Sequence, residues 1–307
     1  MSTVEPSEGQ ASLDRLVRLL DLEKIEENIF RGVSPPDSPM RVFGGQVAGQ
    51  ALVAAGRTVP AERHVHSLHA YFIRGGDPRV PIVYQVDRIR DGRSFTTRRV
   101  LAVQHGKVIF SLAASFQKQE DGVAHTTSMP NVPAPESLPT LPERLAEFGD
   151  ERIDYARNRP IDLRYVNDPP WVTRSTGGRA GANQVWMRGN GTLPDDELLH
   201  VCVLTYASDL TLLDSLLARH GVYWDMDKVL GASLDHALWF HRPFRADEWF
   251  LYDTDSPTAS GARGLATGRF FTRDGTLIAT VVQEGLLRVI GSDSDSGSDD
   301  SEGGESG

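Results

Sequence analysis

Two stretches of this sequence run through the same order of elements, and that repeat constrains the fold more than any other feature. HAYFIR (69–74) falls on ALWFHR (237–242), and KVIFSLAASFQ falls on TLIATVVQEGL. The turn His105-Gly106 falls on Asp274-Gly275, and the same alignment sets FGGQ (43–46) on YASD (206–209). Residue identity is low, but strand order and turn position coincide. Each copy reads as one helix packed on an antiparallel sheet. A unit of that kind buries its apolar surface by packing against its twin. The expected fold class is therefore α+β, two tandem helix-wrapped antiparallel sheet units. Their sheets can meet edge to edge, which also hides free strand edges.

In the first copy Leu13, Leu16, Val17, Leu20 and Leu22 recur at roughly helical spacing over residues 12–25. VFGGQVAGQALVAAG (42–56) is a second helix. Gly and Ala make it intrinsically weak, so its small residues must serve close packing inside a wrapped sheet. The runs VHSLHAYFI, VPIVYQVDRIRDG, SFTTRRVLAVQHG and KVIFSLAASFQ read as strands separated by Asp-Gly and His-Gly turns. Pro130, Pro133, Pro135, Pro139 and Pro142 break regular structure and predict a Pro-rich surface linker over residues 121–160. In the second copy the helix is expected at YASDLTLLDSLLARHG, with Leu210, Leu213 and Leu217 on one face and a His-Gly stop. The expected division is a first unit over 1–120, the linker, a second unit over 161–290, and a tail over 291–307.

Charge narrows the partners. The formal net charge is −10, but the tail GSDSDSGSDDSEGGESG carries six acids and no base, leaving −4 for the rest. With no apolar residue to bury, that tail is expected to be a solvated disordered extension. A near-neutral body is not that of a nucleic-acid binder. The single cysteine, Cys202, excludes an internal disulfide and a multi-cysteine zinc site, and fits a cytoplasmic setting. No apolar run approaches the roughly 18 residues of a membrane span. The N-terminus MSTVEPSEGQASLDRL lacks the form of a signal peptide.

ASLDHALWFHRP (232–243) gathers a serine, an aspartate and two histidines. If 233–240 is one strand, alternation puts Ser233, Asp235, Ala237 and Trp239 on one face. Leu234, His236, Leu238 and Phe240 take the other. Ser233 and His236 then cannot form a nucleophile–base pair, and no G-x-S-x-G elbow supports one. His236 and His241 face opposite sides and read as structural. His64 and His66 share a face but have no third ligand at metal spacing. Asp209 falls in the first turn of the expected second-copy helix, where an acid has a plain stabilising use worth about 1 kcal/mol. Gln283, at the end of the apolar strand TVVQEG, needs a buried partner.

Longer motifs carry a family resemblance. PDDELLHVCVLTYASD, ASLDHALWFHRPFRADEWFLY and TVVQEG resemble acyl-CoA thioesterase II, as do VFGGQVAGQAL and DGRSFTTRRVLAVQHGKVIFSLAASFQ. The resemblance covers roughly residues 12–120 and 160–289. It implies a double hotdog fold, a homo-oligomer and hydrolysis of fatty acyl-CoA to free acid and coenzyme A. It also implies that no metal, cofactor or covalent intermediate is used. The family holds and activates water with an Asp, a hydroxyl residue that is usually Thr, and a Gln. These fall on Asp209, Ser233 and Gln283. Serine keeps the hydroxyl and loses a methyl. The first copy has Gln46 and Ala114 at the positions aligned with Asp209 and Gln283, so one catalytic set per chain is expected.

Other assignments follow from this substrate. Arg93, Arg98, Arg99 and Arg263 are candidate contacts for the phosphates of coenzyme A, against the plainer reading of a solvated strand face. Gly44 and Gly45 could bare backbone N–H groups for an oxyanion, but tight helix–sheet packing is the preferred explanation of them. Ala207 or Trp239 could set acyl-chain length. Two competing readings stand beside this one. A non-catalytic acyl-CoA binder would use the same fold. A hotdog hydratase would need a D-x-N-x-x-H string, which the sequence lacks.

Overall fold

The computed structural model describes residues 7–35, 41–147, 153–175, 179, 181–224 and 229–290. The acidic tail expected over 291–307 lies outside the described residues. Helix α1 (Glu8–Leu20) opens behind Ser7, whose hydroxyl accepts the Gln10 N–H, and buries Leu13, Leu16 and Leu20. It stops at Leu20, short of the expected residue 25. Strands β1 (Glu23–Glu26) and β2 (Ile29–Gly32) form a hairpin there. Every β1 residue is exposed, so the strand carries no alternation to read. Helix α2 (Gly44–Gly56) leads to β3 (Arg63–Phe72), β4 (Ile82–Asp91), β5 (Phe95–Gln104) and β6 (Lys107–Lys118). His105 and Gly106 both take positive φ, 49° and 69°, the backbone that a two-residue hairpin needs to match strand twist.

Residues 119–134 carry no helix or strand, and a single 3-10 turn follows at Pro135–Ser137. This segment crosses the second half. The Trp186 indole donates to the Pro133 carbonyl at 2.9 Å. Met129, Val132 and Leu138 pack on Trp186, Trp249, Leu251 and Phe271. Then come α3 (Leu141–Ala146), α4 (Ile153–Arg157), β7 (Ile161–Tyr165), α5 (Pro170–Ser175), β8 (Ala182–Gly189), α6 (Glu197–Ser208) and α7 (Asp214–His220). Strands β9 (Val229–Ser233), β10 (Asp235–Phe240), β11 (Phe250–Ser260), β12 (Arg263–Thr272) and β13 (Leu277–Val289) complete the described chain. Among the described residues no helix is long and apolar enough to cross a membrane.

The strands join one antiparallel sheet in the order β1-β2-β4-β5-β6-β3-β10-β13-β12-β11-β8-β7, with β9 paired to β13. Read outward from the β3–β10 centre, the order is the same in both directions: β6 and β13, β5 and β12, β4 and β11, β2 and β8, β1 and β7. The repeat is therefore a pseudo-twofold. Its central register pairs Leu68 with Leu238 and Ala70 with His236, which makes Leu68 the equivalent of His236. Joining β3 to β10 removes one free edge from each unit, as expected.

The two long inner helices lie antiparallel and almost touching. A Cβ on Gly45 would stand 2.4 Å from the Tyr206 carbonyl, and one on Gly49 would stand 3.3 Å from that of Cys202. The Gly/Ala composition of α2 thus permits backbone-to-backbone packing, and its residues from Gly45 to Ala55 are all buried. One expectation is overturned here. The second-copy helix is α6, not a helix over 206–221. Asp196 caps α6 by accepting the Leu199 N–H. Nearly every side of α6 is buried, so it has no polar face and no amphipathic period to betray it. The LDSLLARH segment is the shorter α7, ended by Gly221 at φ 65° as the His-Gly stop predicted.

Candidate active site

Asp209 is the residue that ends α6, not one that begins a helix. Because α2 runs antiparallel to α6, this C-terminal position lies at the α2 N-terminus. A Cβ on Gly44 would stand 2.6 Å from Asp209 Oδ2, and the Gly45 N–H donates to the carboxylate. Phe43 provides no side-chain cap for the first turn of α2, and the carboxylate takes the Gly45 N–H there. The glycines therefore do two things. They permit the close approach, and they leave the Gly45 N–H clear to reach Asp209. The equivalence of Gln46 with Asp209 fails along with the helix alignment.

The Gln283 amide ties the rest together. Its Nε2 donates to Asp209 Oδ1 at 3.2 Å and to Ser233 Oγ at 2.7 Å. Ser233 also hydrogen-bonds the Asp209 carboxylate. The structure thus brings together all three side chains singled out in the sequence. In the first half Leu68 lies opposite Ala114, both fully buried, where the second half has His236 and Gln283. That half supplies the Gly45 N–H to the site and is apolar at these two positions.

Alternation across 233–240 does not hold. In the β9–β13 pairing Ser233 opposes Gly285, and in the β10–β13 pairing Ala237 opposes Val282. The strand from 233 to 237 has one more intervening residue than its partner, which is a β-bulge. Leu234 donates to the Glu284 carbonyl at 2.9 Å, and Asp235 Oδ1 accepts the Glu284 N–H at 2.7 Å. Asp235 thereby closes the bulge with a side-chain acceptor where the ladder lacks one. The extra residue swings His236 onto the Gln283 amide with Ser233. Its Nδ1 meets Gln283 Oε1 and its Nε2 meets Ser208 Oγ at 2.8 Å. Reading His236 as merely structural missed this. The available signal was a histidine on an otherwise apolar strand face, between Leu234 and Leu238.

The electrostatics oppose one another. Burial raises the Asp209 carboxyl, while the bonds from Gln283, Gly45 and Ser233 lower it. Burial wins and pushes the group up from 3.8 to about 6. That gap disfavours the charged form by up to ~3 kcal/mol. Burial drives His236 the other way, down to about 4, so its imidazole is neutral at neutral pH.

The arginines lie elsewhere. Arg98 is 1% exposed, and all its N–H groups are used, by Thr58, Asp91 and the carbonyls of Arg90 and Thr97. It has no donor left for a phosphate and serves the fold. Thr58 also follows the C-terminus of α2, whose 13 residues put it about 20 Å from the Gly44 end. Arg93 is exposed in the same region, with its carbonyl held by Arg63. Arg99 pairs with Asp87, and Arg263 pairs with Glu284 at 3.0 Å, both on the surface. None of the four meets Asp209. Trp239 stacks edge-on with His69, and Ala207 is fully buried. A cavity of about 160 Å³ begins at Leu210 and Thr211, the residues that follow Asp209 in the chain, and is lined also by Trp171, Trp224, Arg159 and Asp214.

Comparison with known proteins places the chain. Residues 156–286 match the acyl-CoA thioesterase family, and residues 34–117 match the acyl-CoA thioesterase N-terminal domain. Human acyl-coenzyme A thioesterase 8 is 41% identical, over 92% of this chain and 95% of that protein. The chain belongs to the acyl-CoA thioesterase II family. The solved acyl-CoA thioesterase II of Mycobacterium marinum is 46% identical with a TM-score of 0.74, over 89% of this thioesterase and 98% of that chain. A hot dog fold protein from Alicyclobacillus acidocaldarius, 17% identical, superposes with a TM-score of 0.73 over 89% of this chain and 98% of its own. The thioesterase is thus an acyl-CoA hydrolase with the double hotdog architecture that the resemblance implies, built from the two α+β units that its internal repeat predicts.

Proposed function

We propose that the thioesterase hydrolyses fatty acyl-CoA to free acid and coenzyme A with a water activated by Asp209, without an acyl-enzyme. The observation that carries this reading is the Gln283 amide, which joins a partly buried carboxylate to the Ser233 hydroxyl at a helix N-terminus. A carboxyl near pKa 6 is mostly ionised at neutral pH, yet basic enough to take a proton from water. Gln283 and Ser233 fix the carboxylate's lone pairs, so the water that it accepts from is oriented.

The chemistry then balances on these groups. Water attacks the thioester carbonyl as Asp209 takes its proton. The resulting oxyanion meets the first turn of α2 at N–H groups other than that of Gly45, which Asp209 holds, a pre-oriented dipole. Collapse breaks the C–S bond, and the coenzyme A thiolate takes the proton back from Asp209. The cavity that begins at Leu210, with Trp171 and Trp224 among its walls, receives the start of the acyl chain. Arg41 and Arg74 are exposed beside the Gly75-Gly76 turn, which is bonded to Val42 near the α2 N-terminus. They suit the coenzyme's phosphates better than Arg93, Arg99 or Arg263.

Thiol release from a long-chain acyl-CoA tests the reading. Wild type should release free thiol, and Asp209→Asn should lose about 100-fold or more of kcat. Mass spectra taken in a single turnover should show no acyl adduct. A wild type that binds the substrate but frees no thiol, or an acylated Ser233, would defeat the proposal.

A further inference from the structure

The position of His236 calls for a role. It is fully buried, its two ring nitrogens have two different partners, and those partners belong to the segments that carry the site. Gln283 is one of them. Ser208, the last residue of α6, immediately precedes Asp209. The ring itself lies three residues after Ser233, across the bulge that Asp235 closes.

The proton assignment follows from charge. An amide side chain fits equally well in two orientations, and only its partners decide between them. The Asp209 carboxylate offers only acceptors, so it fixes the Gln283 NH₂ on its own side. The amide oxygen then points at His236 Nδ1, which must carry a hydrogen. In a neutral imidazole the other nitrogen is an acceptor, so the single Ser208 hydroxyl hydrogen, which has the Thr205 carbonyl and His236 Nε2 both at 2.8 Å, belongs on Nε2 in this arrangement. Turn the amide over, and its oxygen faces a carboxylate while the Ser233 hydroxyl loses its donor. The imidazole opposes that turn at one end, and the carboxylate opposes it at the other.

We propose that His236 is a positioning residue whose Nδ1–H holds the Gln283 carbonyl, so that both amide N–H groups stay on Asp209 and Ser233. This rests on the catalytic reading given above for those three residues. His236 neither touches the substrate nor exchanges a proton in the cycle. It removes a rotation that would misplace the water-binding groups.

The test compares four variants of the full chain. Asparagine places an amide N–H close to the position of Nδ1, glutamine places one near Nε2, and leucine places none. Thiol release should show kcat reduced about 10–100-fold in His236→Leu and His236→Gln, the scale for groups misplaced by about 1 Å. KM should change less than about threefold. His236→Asn should recover most of kcat, and its acid limb should stay where wild type has it. A simple packing role predicts instead that the asparagine and glutamine variants suffer alike and lose activity in step with Tm. Asparagine no better than glutamine at equal Tm would overturn the proposal, as would a folded leucine variant within threefold of wild-type kcat. If the leucine variant does not fold, the asparagine–glutamine pair decides. Asp209→Asn is measured in parallel. If it stays active, the catalytic reading fails; if it is inactive while His236→Leu is fully active, only the positioning role fails.

Discussion

The raised Asp209 carboxyl makes two measurable demands. The first is kinetic. With a group near 6, about 90% of the enzyme is ionised at pH 7 and about 10% at pH 5, so activity should fall roughly tenfold across that interval. Coenzyme A carries a phosphate that titrates near the same value. An acyl-pantetheine thioester, which lacks that phosphate, is the cleaner substrate. His236 sits near 4 and cannot supply the limb. The second demand is thermodynamic. The folded pKa lies above the ordinary 3.8, so the fold prefers the protonated acid. Asp209 costs little stability below pH 4, and its cost grows as pH rises to 6 and stays full above it. The full gap is up to ~3 kcal/mol, and partial solvent access trims it to about 1–2 kcal/mol. Asp209→Asn should therefore melt several degrees higher than wild type at pH 7, at about 2–4 °C per kcal/mol, and show almost no gain at pH 4. A kinetic limb near 4, or an asparagine variant less stable than wild type at pH 7, would refute the claim that burial governs this carboxyl.

Other substitutions separate structure from chemistry. Gln283→Ala should abolish turnover and also destabilise the fold by about 2–4 kcal/mol in denaturant titrations, since His236 and Asp209 both lose a buried partner. Gly44→Ala puts a methyl 2.6 Å from Asp209 Oδ2 and 2.9 Å from the Phe72 ring. It should lower kcat far more than it lowers Tm, because the carboxylate must shift while the rest of the packing stays. Arg98→Met should cost about 1–3 kcal/mol of stability, because it leaves the buried Thr58 hydroxyl and carbonyl without their donor. It should leave KM for acyl-CoA unchanged, and a large rise in KM would restore Arg98 as a phosphate contact.

The sequence by itself determined the repeat, and with it the strand order, the hairpin turns and the packing of two sheets side by side. These are local signals: β-strand runs, Gly turns and small residues on α2. The resemblance that its motifs carry also named Asp209, Ser233 and Gln283. Three things were decided only in the folded chain. Helix α6 hid because burial on nearly all sides erases the periodicity that marks a helix. The bulge at Leu234-Asp235 is a mismatch in length between β9–β10 and β13, segments about 50 residues apart, and no single strand records it. The meeting of Asp209 with the α2 N-terminus depends on two helices from different halves running antiparallel. Only that packing sets a helix-ending aspartate against a helix N-terminus and a histidine of an apolar face against the Gln283 amide.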